Sequence, residues 1–98
     1  MGYSRINPVP TLQFAEEEVV TPDVSIGAGT WANLKANIPQ KAGYKPISIR
    51  FISPDSPASL VLIYFYLTDT YAEFRFRNMT NAARNDHVTF RVLYVKLA

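Results

Sequence analysis

The single histidine of this sequence, His87, follows Asp86, and that pair is the first place where chemistry could reside. A carboxylate beside an imidazole can orient a general base. Catalysis would also need a nucleophile or a group that polarises the substrate. The chain carries no G-x-S-x-G, H-E-x-x-H, P-loop or G-x-G-x-x-G pattern to provide one. A lone histidine at the start of a strand reads as a turn residue, and the expectation is that the protein is not an enzyme. A metal needs about three or four converging ligands. The carboxylate run Glu16-Glu17-Glu18 is contiguous, so its side chains diverge along an extended chain and read as a solvated stretch. There is no cysteine, which removes disulfide, thiolate-zinc and thiol redox chemistry. Neither metal nor cofactor is expected.

Three binding chemistries remain. Asn78-Met79-Thr80 has the form of an N-glycosylation acceptor, but MGYSRINPVP has no apolar stretch after its one arginine, so no secretory signal is read and the acceptor is set aside. Arg75, Arg77, Arg84 and Arg91 give the C-terminal half a basic cast with aromatic residues close by. A net charge of +2 and the acidic run argue against nucleic acid as the partner. Carbohydrate is the third, because rings stack on sugar faces and amides bind hydroxyls. Trp31, Tyr44 and Tyr71 are the candidate platforms, with a core or edge role for Trp31 equally open.

The elements that must position these residues are strands. Ninety-eight residues make one domain, and 48% apolar content is normal for a folded one. A chain this short buries only somewhat more than the roughly 60% of its unfolded surface quoted for a 60-residue domain, so oligomerisation would help. Seven prolines cut the sequence into strand-length pieces. The longest apolar run, Leu60 to Leu67, is far short of the ~20 residues of a membrane-spanning helix, so no membrane insertion is expected. Ala32, Leu34, Ala36 and Ile38 alternate with Asn33, Lys35 and Asn37. Ile47, Ile49 and Phe51 are expected on one face of the next strand, with Ser48, Arg50 and Ile52 on the other. Val88, Phe90, Val92 and Tyr94 share a face of the last strand. The fold read from these spacings is all-β, an antiparallel β-sandwich of jelly-roll-like type. Residues 1–23, with Pro8, Pro10, the glutamate run and Pro22, read as an extended N-terminal arm or attachment segment anchored by Leu12 and Phe14. A short helix over Phe14 to Val20 is the alternative there. Residues 24–98 form the sandwich domain.

The hairpin SLVLIYFYLTDTYAEFRFRN poses the main question. Tyr71 to Arg77 alternates strictly, whereas Leu60 to Leu67 is apolar on both faces. Setting Leu67 opposite Ala72 puts Phe65 against Phe74 and Ile63 against Phe76 on the core side. Tyr66 then meets Glu73, Tyr64 meets Arg75 and Leu62 meets Arg77 on the outside. A slip of one residue would bury Glu73 against Phe65, which desolvation forbids. Asp69-Thr70 lacks the glycine of a type I′ turn, so a four-residue loop from Thr68 to Tyr71 is preferred. The outer face becomes Leu60, Leu62, Tyr64 and Tyr66 beside Arg75 and Arg77. An exposed apolar face of that size predicts a subunit interface.

Several short stretches together resemble the β-sandwich domain found at the C-terminal end of phage and prophage tail-fibre and related virion structural proteins. They are Ile26 to Trp31, Gly43 to Ile47, Arg77-Asn78 after the aromatic hairpin, and Val92 to Lys96 at the close. The resemblance covers the chain from Val24 onward. It implies a trimeric fibre head or a capsid or tail decoration module, located in the virion after assembly in the host cytoplasm, that binds a host-surface receptor, often a glycan, or another virion protein. It transfers no catalytic residue. Two chain contexts fit: an excised head domain, or a small virion protein attached through residues 1–23. The first expectation is thus a homotrimeric virion structural protein. Its rival is a monomeric carbohydrate-binding module, recognisable if Trp31, Tyr44 and Tyr71 share one exposed surface. A small regulator that sequesters a ligand would need a deep pocket lined by arginine and tyrosine.

Overall fold

The computed structural model describes residues 12–97, which form eight strands: β1 (Phe14–Val20), β2 (Val24–Ile26), β3 (Trp31–Asn37), β4 (Tyr44–Pro54), β5 (Leu60–Leu67), β6 (Tyr71–Asn78), β7 (Arg84–Asp86) and β8 (Val88–Lys96). The described residues are all-β, with no helix and with every strand pair antiparallel. One sheet has the order β1-β8-β4, the other β3-β6-β5, and β2 pairs with β7 in a small two-stranded ribbon.

The two most regular alternations in the sequence became the two central strands. β8 turns Val88, Phe90, Val92 and Tyr94 inward, and β6 turns Ala72, Phe74 and Phe76 inward, all of them buried. The sheets meet where the Phe74 and Phe90 rings lie 4.7 Å apart between centroids, tilted by 55°. Ile26, Leu34, Ile38 and Leu60 complete the buried core, with Ala15, Val19, Ile49 and Ile52 packed on it. Tyr94 is buried as well, and its hydroxyl donates to the Pro39 carbonyl at 2.6 Å. A phenol placed in a core needs such a partner.

Residues expected to form an arm are instead partly sheet. Phe14–Val20 pairs with Val95 back to Thr89 along the edge of β8, so the alternative helix gives way to strand β1 and that stretch of the expected arm is extended as an edge strand. The reason is in its spacing: Ala15 and Val19 face the core, while the triplet splits between faces. Glu16 lies outside with Arg50 at 2.9 Å and Arg91 at 3.7 Å, and Glu17 pairs with Lys41 at 2.9 Å. Residues 1–11, the rest of the expected arm, lie outside the described residues.

The hairpin register holds from the turn to Tyr64 and then breaks. Leu67 faces Ala72, Tyr66 faces Glu73, Phe65 faces Phe74 and Tyr64 faces Arg75, as the pattern predicts. A bulge at Ile63 then places Leu62, rather than Ile63, opposite Phe76, and Val61, rather than Leu62, opposite Arg77. Leu60 is consequently buried and Leu62 packs on the core. Strand β5 ends at Leu67 and β6 begins at Tyr71, with neither Asp69 nor Thr70 in the left-handed region. The Thr68 hydroxyl accepts from the Thr70 and Tyr71 amides at 3.2 and 3.0 Å, which replaces the glycine a type I′ turn would need.

Strand β4 bulges twice, between Pro46 and Ser48 and between Arg50 and Ser53. Ile47 and Phe51 are thereby turned out to solvent, against the expected face, and Ile52 takes the core position. Phe51 has φ of 54°, the one described non-glycine residue with positive φ. Its ring sits 5.0 Å from the Arg50 guanidinium and 5.2 Å from that of Arg91. A side chain in the left-handed region costs about 1 kcal/mol or more. Phe51→Gly should therefore leave the urea midpoint unchanged or raise it, although it deletes a whole aromatic ring. Phe90→Ala, by contrast, should lose about 3–5 kcal/mol by opening a cavity between the sheets. Equal losses for the two variants in equilibrium unfolding would contradict this assignment of core and strain.

Candidate functional site

The outer surface of the β3-β6-β5 sheet is built by the polar half of each alternation. Register sets the side chains in rows across the strands: Trp31, Arg77 and Val61; then Asn33, Arg75 and Tyr64; then Lys35, Glu73 and Tyr66; then Asn37 beside Tyr71. Cross-strand neighbours of this kind lie within contact of one another. The two middle rows each mix a ring, a cation and an amide or carboxylate.

Arg75 organises the first two rows. Its guanidinium lies 3.7 Å from the Trp31 ring centroid and 4.8 Å from that of Tyr64, bridging the outer strands. Such contacts contribute on the order of 0.5–2 kcal/mol, depending on desolvation. Arg75 Nε donates to Asn33 Oδ1 at 2.9 Å, and Asn33 Nδ2 donates to Glu73 Oε2 at 2.9 Å. The amide is thus oriented by a cation on one side and an anion on the other. In the lower rows the Tyr64 and Tyr66 rings stack at 6.3 Å, Tyr66 meets Tyr71 edge-on at 6.1 Å, and the Lys35 ammonium sits 4.0 Å from the Tyr71 ring.

The structure puts Tyr64, Tyr66, Arg75 and Arg77, expected at a subunit interface, on the same surface as Trp31 and Tyr71, expected as ring platforms for sugar. It removes Leu60 and Leu62, which face the core because of the Ile63 bulge, and puts Val61 in their place. It also removes Tyr44, which opens β4 opposite Lys96 in the other sheet, half-buried against the core. Asn33 and Glu73 were missed as members. Their link is visible in the sequence only once β3 is registered against β6.

His87 does not use its neighbour. Its Nδ1 lies 2.8 Å from Asp23 Oδ1 and its Nε2 is 3.8 Å from Asp55 Oδ1. Asp86 is buried and accepts from Ser56 Oγ at 3.0 Å and Arg84 Nε at 3.2 Å. The histidine ties together three chain segments, and no hydroxyl nucleophile is among its partners. Asn78, in the acceptor-like triplet, is fully buried: its Nδ2 donates to the Ile26 and Ala82 carbonyls at 3.0 and 2.8 Å. Its Oδ1 accepts from the Thr80 amide and hydroxyl at 2.9 and 2.7 Å. The motif is a structural clamp at the end of β6. Among the described residues no group of three or more His, Asp or Glu side chains is arranged to hold a metal ion.

Comparison with protein-family models, with curated proteins and with solved structures gives no match.

The lower rows carry a measurable signature. Hydrogen bonding to Tyr71, then to Glu73, pushes the Tyr66 phenol up from 10.0 to about 12. A phenol whose folded value is raised contributes stability that is complete below the unfolded value near 10 and is lost as pH rises through the folded one. An ultraviolet titration of the folded protein should show two tyrosines ionising after the ordinary phenol range, Tyr66 and Tyr94, the latter pushed up by burial. Tyr71→Phe should bring the Tyr66 step down most, and Glu73→Gln less, with the Tyr94 step unmoved. Two late steps left unchanged in Tyr71→Phe would mean that the Tyr66–Tyr71–Glu73 cluster is not formed in solution.

Proposed function

We propose that this chain is a non-enzymatic structural module that assembles with copies of itself, in the manner of a virion fibre head or decoration protein. The observation that carries this reading is strand β5. It is the edge of its sheet, and Val61, Ile63, Tyr64, Phe65 and Tyr66 are each 38–50% exposed. Leu60–Leu67 contains no charge and no proline, the devices by which edge strands usually avoid pairing with other chains. Among the described residues the Ile63 bulge is the sole protection on it.

A second copy is the occupant that fits best. The strand offers apolar and aromatic area with unpaired backbone groups, and a like strand complements both. A distinct polar partner would find no charge on β5 to recognise. The resemblance of Ile26–Trp31, Gly43–Ile47 and Val92–Lys96 to fibre head domains supports a homotrimer as the assembly and the virion as its place. Contacts to other virion proteins through residues 1–23, and to a host-surface receptor, belong to the same proposal. The rival reading as a monomeric carbohydrate-binding module has one observation in its favour, since Trp31 and Tyr71 do share an outer face.

Light scattering at tens of micromolar decides between them. Self-assembly predicts a mass that is a multiple of the 11.1 kDa chain, three-fold for the trimer. The double variant Val61→Lys, Ile63→Lys should dissociate it while circular dichroism keeps the β signature, because both side chains are about half exposed and neither packs on the core. A wild-type mass of one chain would overturn the proposal, as would an assembled double variant.

A further inference from the structure

We infer that the Trp31 end of the β3-β6-β5 outer face is a binding site for an acidic saccharide, held by Arg75 and Arg77 through its carboxylate and by the aromatic rings through its sugar face. The assignment begins with charge. Among the described residues Arg50 and Arg91 share Glu16, and Arg84 is paired with Asp86. Arg75 and Arg77 have no carboxylate within ion-pair distance among those residues, and they project from the same side of the same strand. Glu73, the carboxylate nearest in register, is engaged by Asn33 and by Tyr66.

The second argument is preorganisation. The Glu73–Asn33–Arg75 chain fixes the guanidinium through Nε, and the Trp31 and Tyr64 rings hold it from either side. Its terminal N–H groups have no acceptor among the described residues, so the fork that matches a carboxylate is left available. A fork held in place loses little side-chain entropy when it binds. Trp31 is 52% exposed and Arg77 stands opposite it in register. A ring surface beside a free guanidinium recognises a ligand with both a stackable face and an anion.

A uronic-type sugar has these features in one residue. An oligonucleotide has them too, but it needs a run of cations along its backbone. Here the row below Arg75 sets Glu73 against Lys35 and so offers a second phosphate no net positive charge. The saccharide is therefore the better fit. The inference does not rest on self-assembly, because a monomer can bind and a trimer can fail to.

Trp31 is the sole tryptophan of the chain, so its fluorescence reports on the site directly. Titrating the full-length protein with a hexauronate should give a saturable change, weaker or absent with neutral cellohexaose and with a hexathymidylate. Arg77→Gln, which breaks no intramolecular contact described above, should weaken the hexauronate at least about tenfold, the scale of one charge-assisted hydrogen bond. Arg75→Gln should weaken it further. No fluorescence change at millimolar hexauronate overturns the assignment, and so does equal binding of cellohexaose, tighter binding of the hexathymidylate, or full affinity in Arg77→Gln. Mass measured in the same samples keeps this result separate from the assembly reading.

Discussion

Phe74 and Phe90 come from the central strands of opposite sheets, and their contact fixes how the sheets face one another. A sandwich of two three-stranded sheets has little area to spend, so the inward row of each central strand must be apolar throughout. β6 meets that demand with Ala72, Phe74 and Phe76, and β8 with Val88, Phe90, Val92 and Tyr94. Each outer strand then takes its register from its central neighbour. Residues on the reverse of β6 have no choice of neighbours, and Arg75 is delivered between Trp31 and Tyr64 as a result.

Much of this layout was legible because period-two alternation is a direct consequence of one buried face. β3, β6 and β8 carry it without interruption, and their inward and outward residues are as the sequence predicts. Bulges are where legibility failed. The extra residues Ile63, Ile47 and Phe51 are ordinary strand formers, with no glycine to mark the break. Only the partner strand shows that two residues oppose one. β1 escaped for another reason: three successive glutamates look like a solvated run. The pleat instead sends Glu16 and Glu17 to opposite sides, Glu16 to Arg50 and Arg91 and Glu17 to Lys41.

The candidate surface divides in the same way. Residue type marked Trp31 and Tyr71 as ring platforms, and the hairpin register put Tyr64 beside Arg75, where arginine over an aromatic ring is favoured. Tyr44 has the same composition and a different address, since the sheet to which a strand belongs depends on long-range pairing. Asn33 and Glu73 were missed because neither is unusual by itself. Each gains its role from a hydrogen bond to a residue about forty positions away, a separation at which local pattern carries no information.

Asn78 shows how a sequence motif can change meaning with time. In the folded protein its side-chain amide is sealed, bonded to two carbonyls and two Thr80 donors. On a nascent chain the same Asn-Met-Thr triplet is open. Were the chain passed through a glycosylating compartment, a sugar added to Nδ2 would take a position that the closed end of β6 requires. The closed end of β6 thus depends on Asn78 keeping both of its amide hydrogens for the Ile26 and Ala82 carbonyls.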